Sequence, residues 1–441
     1  MMLRGVFALL IPLFFLADLA SAERLPWAKP RVVVETDAPG GDPDDEASLV
    51  RFFLYLNEWD TEALIATRNT AKSRLGINGK DRILQFVDDY AAVYPNLRVH
   101  AEGFPTPDSL RPRVHQCYQG TEARDAVIAI LERDDPRPIW YQNWGTNEHE
   151  GTHTALRQAL DYLQTHRNAA EYRHLASKIR YAGLRQREFL GHHTHALTFY
   201  METFYPAMDG GRWYHRWAPL TAQAGGFDID RDVRNDHGPL TSNYTIVKEG
   251  DTPAFMHLIP NGLHEPHHPD WGTWSGRYSY NAESKMWWCD QRDTWNGSTH
   301  RDNTLARWAV HIQNDFRARA DWCIRKTRAG ANHAPKPALQ GDSSLDVLFF
   351  DVTAGHPVEL SAKGSTDPDG DTLTYSWVHY SEPGSYPGTV KMEGESSETA
   401  RILVPRDAAG KTIHIVLIVT DSGTPALTRY RRAIITARPQ T

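Results

Sequence analysis

The chain has 441 residues, of which 40% are hydrophobic and 23% charged, with a formal net charge of -7. That length exceeds a typical single domain and predicts two folded units. The acidic balance offers no general attraction to phosphate backbones, which argues against nucleic acid as a partner. The 14 Trp and 18 Tyr suit sugar rings and interfaces, although aromatic side chains also fill cores.

The first residues, MMLRGVFALLIPLFFLADLASA, place basic Arg4 before an apolar run that ends in Ala20-Ser21-Ala22. This is the layout of a secretory signal peptide with a small-x-small cleavage site. The run is short for a transmembrane helix. The expectation is signal peptide 1–22, a mature chain from about Glu23, a secreted or periplasmic location, and no membrane contact after processing. The sequence says nothing of oligomeric state.

RVVVETD (31–37) reads as a buried strand and ASLVRFFLYLNEW (47–59) as a helix, with Leu49, Phe52, Phe53 and Leu56 at helical spacing. ALIATRN (63–69) and DRILQFVDDYAAVY (81–94) repeat that order, and RPIWYQNWG (137–145) leads into GTHTALRQALDYLQTH (151–166). Strands alternating with helices predict an α/β fold, a mainly parallel sheet with helices on both faces. Ligands of such sheets sit beyond the carboxyl ends of the strands. ANHAPKPAL (331–339) is a linker rich in Ala and Pro. Beyond it, short β-type runs such as LTYSWVHY and TIHIVLIVT, separated by Gly, Pro and Asp turns, predict an all-β, immunoglobulin-like sandwich. The domains are then 23–330 and 340–441.

Between the first strand and the first helix, Glu35, Asp37, Asp42, Asp44, Asp45 and Glu46 crowd together. Helix capping accounts for part of this, with Asp42 as N-cap, Pro43 at the first helical position and the next acids at the positive end of the dipole. It leaves Asp37, which the Pro-Gly-Gly loop folds back towards Asp44 and Asp45. Convergent hard oxygen ligands suit Ca²⁺ better than a softer metal.

VETDAPGGDPDDEASL resembles the acidic fingerprint of the nucleoside hydrolase superfamily. Its longer loop is similar to that of the cellulose-binding, nucleoside hydrolase-like domain family. So are DDPRPIWYQNWGTN, KEGDTPAFMHLIPNGLHEPHHPDWGTWSGRY, ARWAVHIQNDFRARADWCIRKTRAGANHAP, GSTDPDGDTLTYSW and LIVTDSGTPALTRYRR. The resemblance implies Ca²⁺ as cofactor, held by Asp37, Asp45, Asp251 and the main-chain carbonyl of Trp144. It implies Asp44 as general base, and Asn69 and Asn147 as sugar contacts. Where the family has a segment of the type Ile-Ser-Asp-Gln-Asp-Asp, this chain has RYAGLRQREFLGHHTHALTFY.

Three further features have two readings each. His264, with His267 and His268, is a leaving-group acid or part of a polar loop. Trp271, Trp274 and Tyr278 form a sugar-stacking platform or pack a core. The count of Cys117, Cys289 and Cys323 allows a Cys289–Cys323 bridge with Cys117 left over. The functional expectation is a secreted, calcium-dependent glycosyl hydrolase acting on a carbohydrate or glycoside. The alternative is a cellulose- or polysaccharide-binding protein without turnover.

Overall fold

The computed structural model describes residues 29–41, 43–144, 154–183, 190–203 and 224–440. The expected signal peptide, Asp42 and Asn147 lie outside them.

The large domain is built on one sheet of eight strands in the order β3-β2-β1-β4-β5-β6-β8-β7. These are β1 (Arg31–Thr36), β2 (Asp60–Ala66), β3 (Val114–Gln116), β4 (Ile139–Asn143), β5 (Ile179–Gly183), β6 (Phe199–Glu202), β7 (Ser279–Asn281) and β8 (Met286–Trp288). Every pairing is parallel except that of β7 with β8. From β1 the chain winds outwards to β2 and β3. It then crosses back to β4 and continues the other way. β1 and β4 therefore flank the point where strand order reverses, the position beyond the strand ends at which folds of this kind take their ligands.

Two helices, α1 (Asp44–Leu54) and α2 (Gly79–His100), cover one face. The helices Glu122–Glu132, Ala155–His166 and Ala169–Ser177 cover the other. The period-two alternation of β1 feeds both layers. Val32 and Val34 pack with Phe52, Phe53 and Phe86, whereas Val33 packs with Val127, Leu156 and Leu160. With both faces covered, the strand reads as an unbroken apolar run. α2 continues past Tyr94, where the sequence pattern ends, through Pro95 to His100. The extra turns bury Leu97 and His100, a tertiary gain that outweighs the local cost of the proline.

A small antiparallel pair, β9 (Asp293–Trp295) with β10 (Ser298–His300), follows the large sheet. The C-terminal domain pairs a four-stranded sheet, β11-β17-β16-β13, with a three-stranded sheet, β12-β15-β14. Its strands are β11 (Leu348–Thr353), β12 (Pro357–Ser361), β13 (Thr374–His379), β14 (Lys391–Glu393), β15 (Thr399–Leu403), β16 (Thr412–Thr420) and β17 (Thr428–Arg438). β11 joins β17 in parallel, a departure from an all-antiparallel sandwich. Trp377 is buried in its core.

This domain is braced against the first. Arg429 pairs with Asp315 at 2.7 Å. Arg432 donates to the carbonyls of Leu263 and Gly272, each at 3.0 Å. Gly262 has a positive φ of 86°, and a Cβ there would fall 1.8 Å from the Tyr430 carbonyl oxygen, so only glycine permits the approach. Residues 331–339 are pinned as well. Asn332 donates to Asp421, and His333 bonds both Asp369 and His100. Cys117, Cys289 and Cys323 are buried thiols outside any disulfide, so the Cys289–Cys323 bridge that their count allowed is not formed. Each sulfur sits instead among the core side chains of its own layer.

Candidate functional site

The site is assembled where β1 and β4 end. Glu35 lies opposite Asn143 across the sheet, and the Trp144 N–H donates to the Glu35 carbonyl at 2.8 Å. Trp144 is thereby held beside the end of β1, its ring packed on Phe52 and Phe255. After Thr36 the chain turns through Ala38, a cis Pro39 and Gly40. A Cβ at Gly40 would fall 2.9 Å from Asp37 Oδ1, so the loop folds tightly over that side chain. α1 then starts at Asp44 with Pro43 as its N-cap and no side-chain cap. The capping reading, which put Asp42 at N-cap and Pro43 inside the helix, is displaced by one residue.

The crowded acids part company because the strand and helix periodicities aim them in different directions. Glu35 points to the far face with Val33. There it accepts from Tyr141 and from the Ala155 N–H at 2.8 Å, and burial raises its pKa. Glu46 turns to Arg74 and Arg82. Asp37 pairs with Arg68, which also reaches the Asp37 carbonyl at 3.4 Å. Its carboxylate stands outside the closest group of acids, yet near enough to raise the Asp45 pKa. The end of β2 thus brings a guanidinium to the carboxylate that the sequence marked as a metal ligand.

Asp44, Asp45 and Asp251 do converge. One carboxylate oxygen from each lies within 4.8 Å of the others, and Asp45 and Asp251 are buried. Asp45 accepts from the Thr36 hydroxyl and, at 3.1 Å, from the Asp37 N–H. Lys248 Nζ stands 3.8 Å from Asp44 Oδ2. Asp251 arrives from a segment just over two hundred residues on, docked to α1 through a buried pair. Arg51 Nε and Nη2 meet the two Glu249 oxygens at 2.6 and 2.8 Å. Thr252 adds bonds to Glu249 and Ser48.

The electrostatics of this cluster call for a positive charge. Burial raises the Asp45 pKa well above its ordinary value, and Asp251, Asp37 and Asp44 raise it further. Such a set must hold protons or a cation. Three carboxylates are a hard oxygen donor set, which fits Ca²⁺ in charge and chemistry. The Trp144 carbonyl is a further oxygen near the same strand ends.

The other expected contacts are dispersed. The Asn69 side chain accepts from the Lys72 N–H at 3.1 Å and caps a short 3₁₀ turn. His264, Trp271 and Trp274 sit at the junction with the C-terminal domain. Trp274 is fully buried and donates to the Tyr430 hydroxyl at 3.2 Å, so core packing replaces the sugar platform. Trp271 is stacked on His268 and packed against His414. His264 is buried, and burial followed by His257 and Arg432 lowers its pKa to about 3. That makes it a neutral packed side chain rather than a proton donor. Sequence reasoning passed over Arg51, Glu249 and Thr36, whose roles exist only once the two segments are docked.

Residues 31–278 match the family described as "Cellulose-binding Sde182, nucleoside hydrolase-like domain". Residues 357–437 match "Cellulose-binding protein Sde0182, C-terminal domain". Among solved structures, the chain is similar to a nucleoside hydrolase-related hypothetical protein from Saccharophagus degradans, described as associated with carbohydrate metabolism. The two are 32% identical with a TM-score of 0.75, over 93% of this chain and 100% of that one. A PKD domain from the KIAA 1837 protein aligns at 16% identity and a TM-score of 0.17, over 22% of this chain and 82% of that one. No protein with a curated description matches the chain.

Proposed function

The chain belongs to the cellulose-binding Sde182, nucleoside hydrolase-like family, and from that membership we propose that it is a secreted or periplasmic, calcium-dependent glycosyl hydrolase. Its substrate is a carbohydrate or glycoside, and its polysaccharide partner is of the cellulose type. The observation that carries the reading is the meeting of Asp44, Asp45 and Asp251 at the reversal point of the sheet, where α/β folds bind ligands.

Asp45, Asp251 and the Trp144 carbonyl are the residues that would hold Ca²⁺. When bound, the ion supplies neutralising charge and a binding position for hydroxyl oxygens. Asp44 is only partly buried and is the carboxylate that accepts a proton from the attacking water. Negative charge around the anomeric carbon favours the oxocarbenium-like transition state of glycosidic cleavage. The Arg51–Glu249 pair keeps Asp251 in place, so the geometry is set before substrate arrives.

Asp44→Asn is expected to abolish release of reducing ends from oligosaccharides while polysaccharide binding is retained. Unchanged release in that variant, or none from wild-type protein supplied with calcium, would overturn the reading. Binding without turnover is a second reading, favoured by Tyr280, which is 52% exposed on β7 with Trp287 alongside at 5.1 Å.

A further inference from the structure

A second group of metal-ligating side chains lies outside the acid cluster, in the GHHTH segment Gly191–His195 that feeds the amino end of β6. We propose that His192, His193 and Asp161 form a site for a borderline-soft divalent cation of the zinc class. One donor atom from each of the three lies within 4.8 Å of the others. That spread suits ligands around one ion, given Zn–N and Zn–O bonds of about 2.0–2.2 Å.

The surroundings prepare each ligand. His193 is 1% exposed, with Nε2 2.7 Å from Asp161 Oδ1 and Nδ1 2.7 Å from the Tyr172 hydroxyl. A hydroxyl can donate or accept. Without a cation, Nε2–H donates to Asp161 and Nδ1 accepts from Tyr172. With one, the ring changes tautomer, Nδ1–H donates to the Tyr172 oxygen, and the Nε2 lone pair is released to the metal. No hydrogen bond to Tyr172 is lost in the exchange. This is the outer-sphere arrangement that orients histidine ligands. His333 differs, since its Nδ1 faces the Asp369 carboxylate.

Asp161 Oδ2 is oriented by Arg157 Nε at 3.4 Å. The His192 ring stands 4.0 Å from that of His193 and bonds Gln164 at 2.8 Å. A cavity of about 560 Å³, lined in part by Gln164, Tyr172, His192 and His195, opens beside the His192 ligand. It gives solvent and an incoming ion access to that ring. Two imidazoles and one carboxylate select zinc-class ions over Ca²⁺ or Mg²⁺, so this site and the acid cluster take different metals. Helix Ala155–His166 and the GHHTH segment are separate elements, and the ion would tie one to the other.

The test uses the full mature chain without a histidine tag, stripped with chelator and titrated with Zn²⁺ by calorimetry. Elemental analysis gives the stoichiometry, and Co²⁺ serves as a spectroscopic probe. Expected is one zinc per chain and a visible Co²⁺ spectrum with imidazole ligation. Affinity should fall about tenfold or more in His192→Ala and Asp161→Asn. His192 is exposed, so its variant keeps the fold even if a change at buried His193 does not. Asp45→Asn should leave this zinc in place, which separates the result from the fate of the acid cluster. No zinc bound by wild-type protein, or equal affinity in the His192 and Asp161 variants, would overturn the proposal.

Discussion

Arg51 and Glu249 form a two-pronged ion pair at 2.6 and 2.8 Å with neither side chain exposed to solvent. They lie 198 positions apart in sequence. The pair ties α1 to the segment carrying Asp251. Burial alone would lower the arginine's pKa, but the neighbouring carboxylate more than offsets this and keeps it charged.

Removing one partner strands a buried charge. Glu249→Gln or Arg51→Met should therefore cost about 3–5 kcal/mol, read from urea unfolding midpoints. The same variants should weaken calcium binding, because Asp251 loses its anchor. A loss below about 1 kcal/mol would mean that the segment is held by other contacts.

Asp45 sets a pH dependence on the metal-free protein. Its folded-state pKa lies well above the ordinary 3.8, owing to burial and then to the neighbouring acids. The folded state thus holds a proton that the unfolded chain releases. The stability from this group is full below 3.8 and is lost as pH rises towards the folded value. Asp45→Asn has no such loss, so in chelator at pH 7 the variant should melt higher than wild type. With calcium present the order should reverse, since wild type gains binding energy that the variant lacks. Thermal unfolding with and without calcium checks both arms.

Trp274 distinguishes core from platform. Trp274→Ala should destabilise the protein by about 3–5 kcal/mol, and Trp274→Phe by about 1 kcal/mol for the lost bond to Tyr430. Trp274→Phe should bind polysaccharide as wild type does. Loss of binding in a folded Phe variant, measured by depletion onto insoluble cellulose, would return this residue to a sugar-contact role.

The three thiols give a direct check on pairing. Cys117, Cys289 and Cys323 are buried and outside any disulfide, and burial raises the Cys323 pKa. A thiol reagent should label almost nothing in native protein and three sulfurs after denaturation without reductant. One labelled sulfur would reinstate a bridge.

The alternation of apolar runs with helical spacing already implied the parallel sheet, because burial on both faces leaves that mark on every strand. Val32, Val33 and Val34 show it residue by residue. The change to short β-type runs after residue 339 implied the second domain on the same grounds. The acid-rich turn was legible as a cluster, since Asp44 and Asp45 are neighbours on one helical turn. Its resolution was not. Asp37 went to Arg68, and Glu35 to the opposite face. Trp274 entered a junction whose other half lies some 150 positions away. Local periodicity records only which face of its own element a side chain occupies. Which partner waits there depends on how distant segments dock, and that decided which acids share a site and which are neutralised singly.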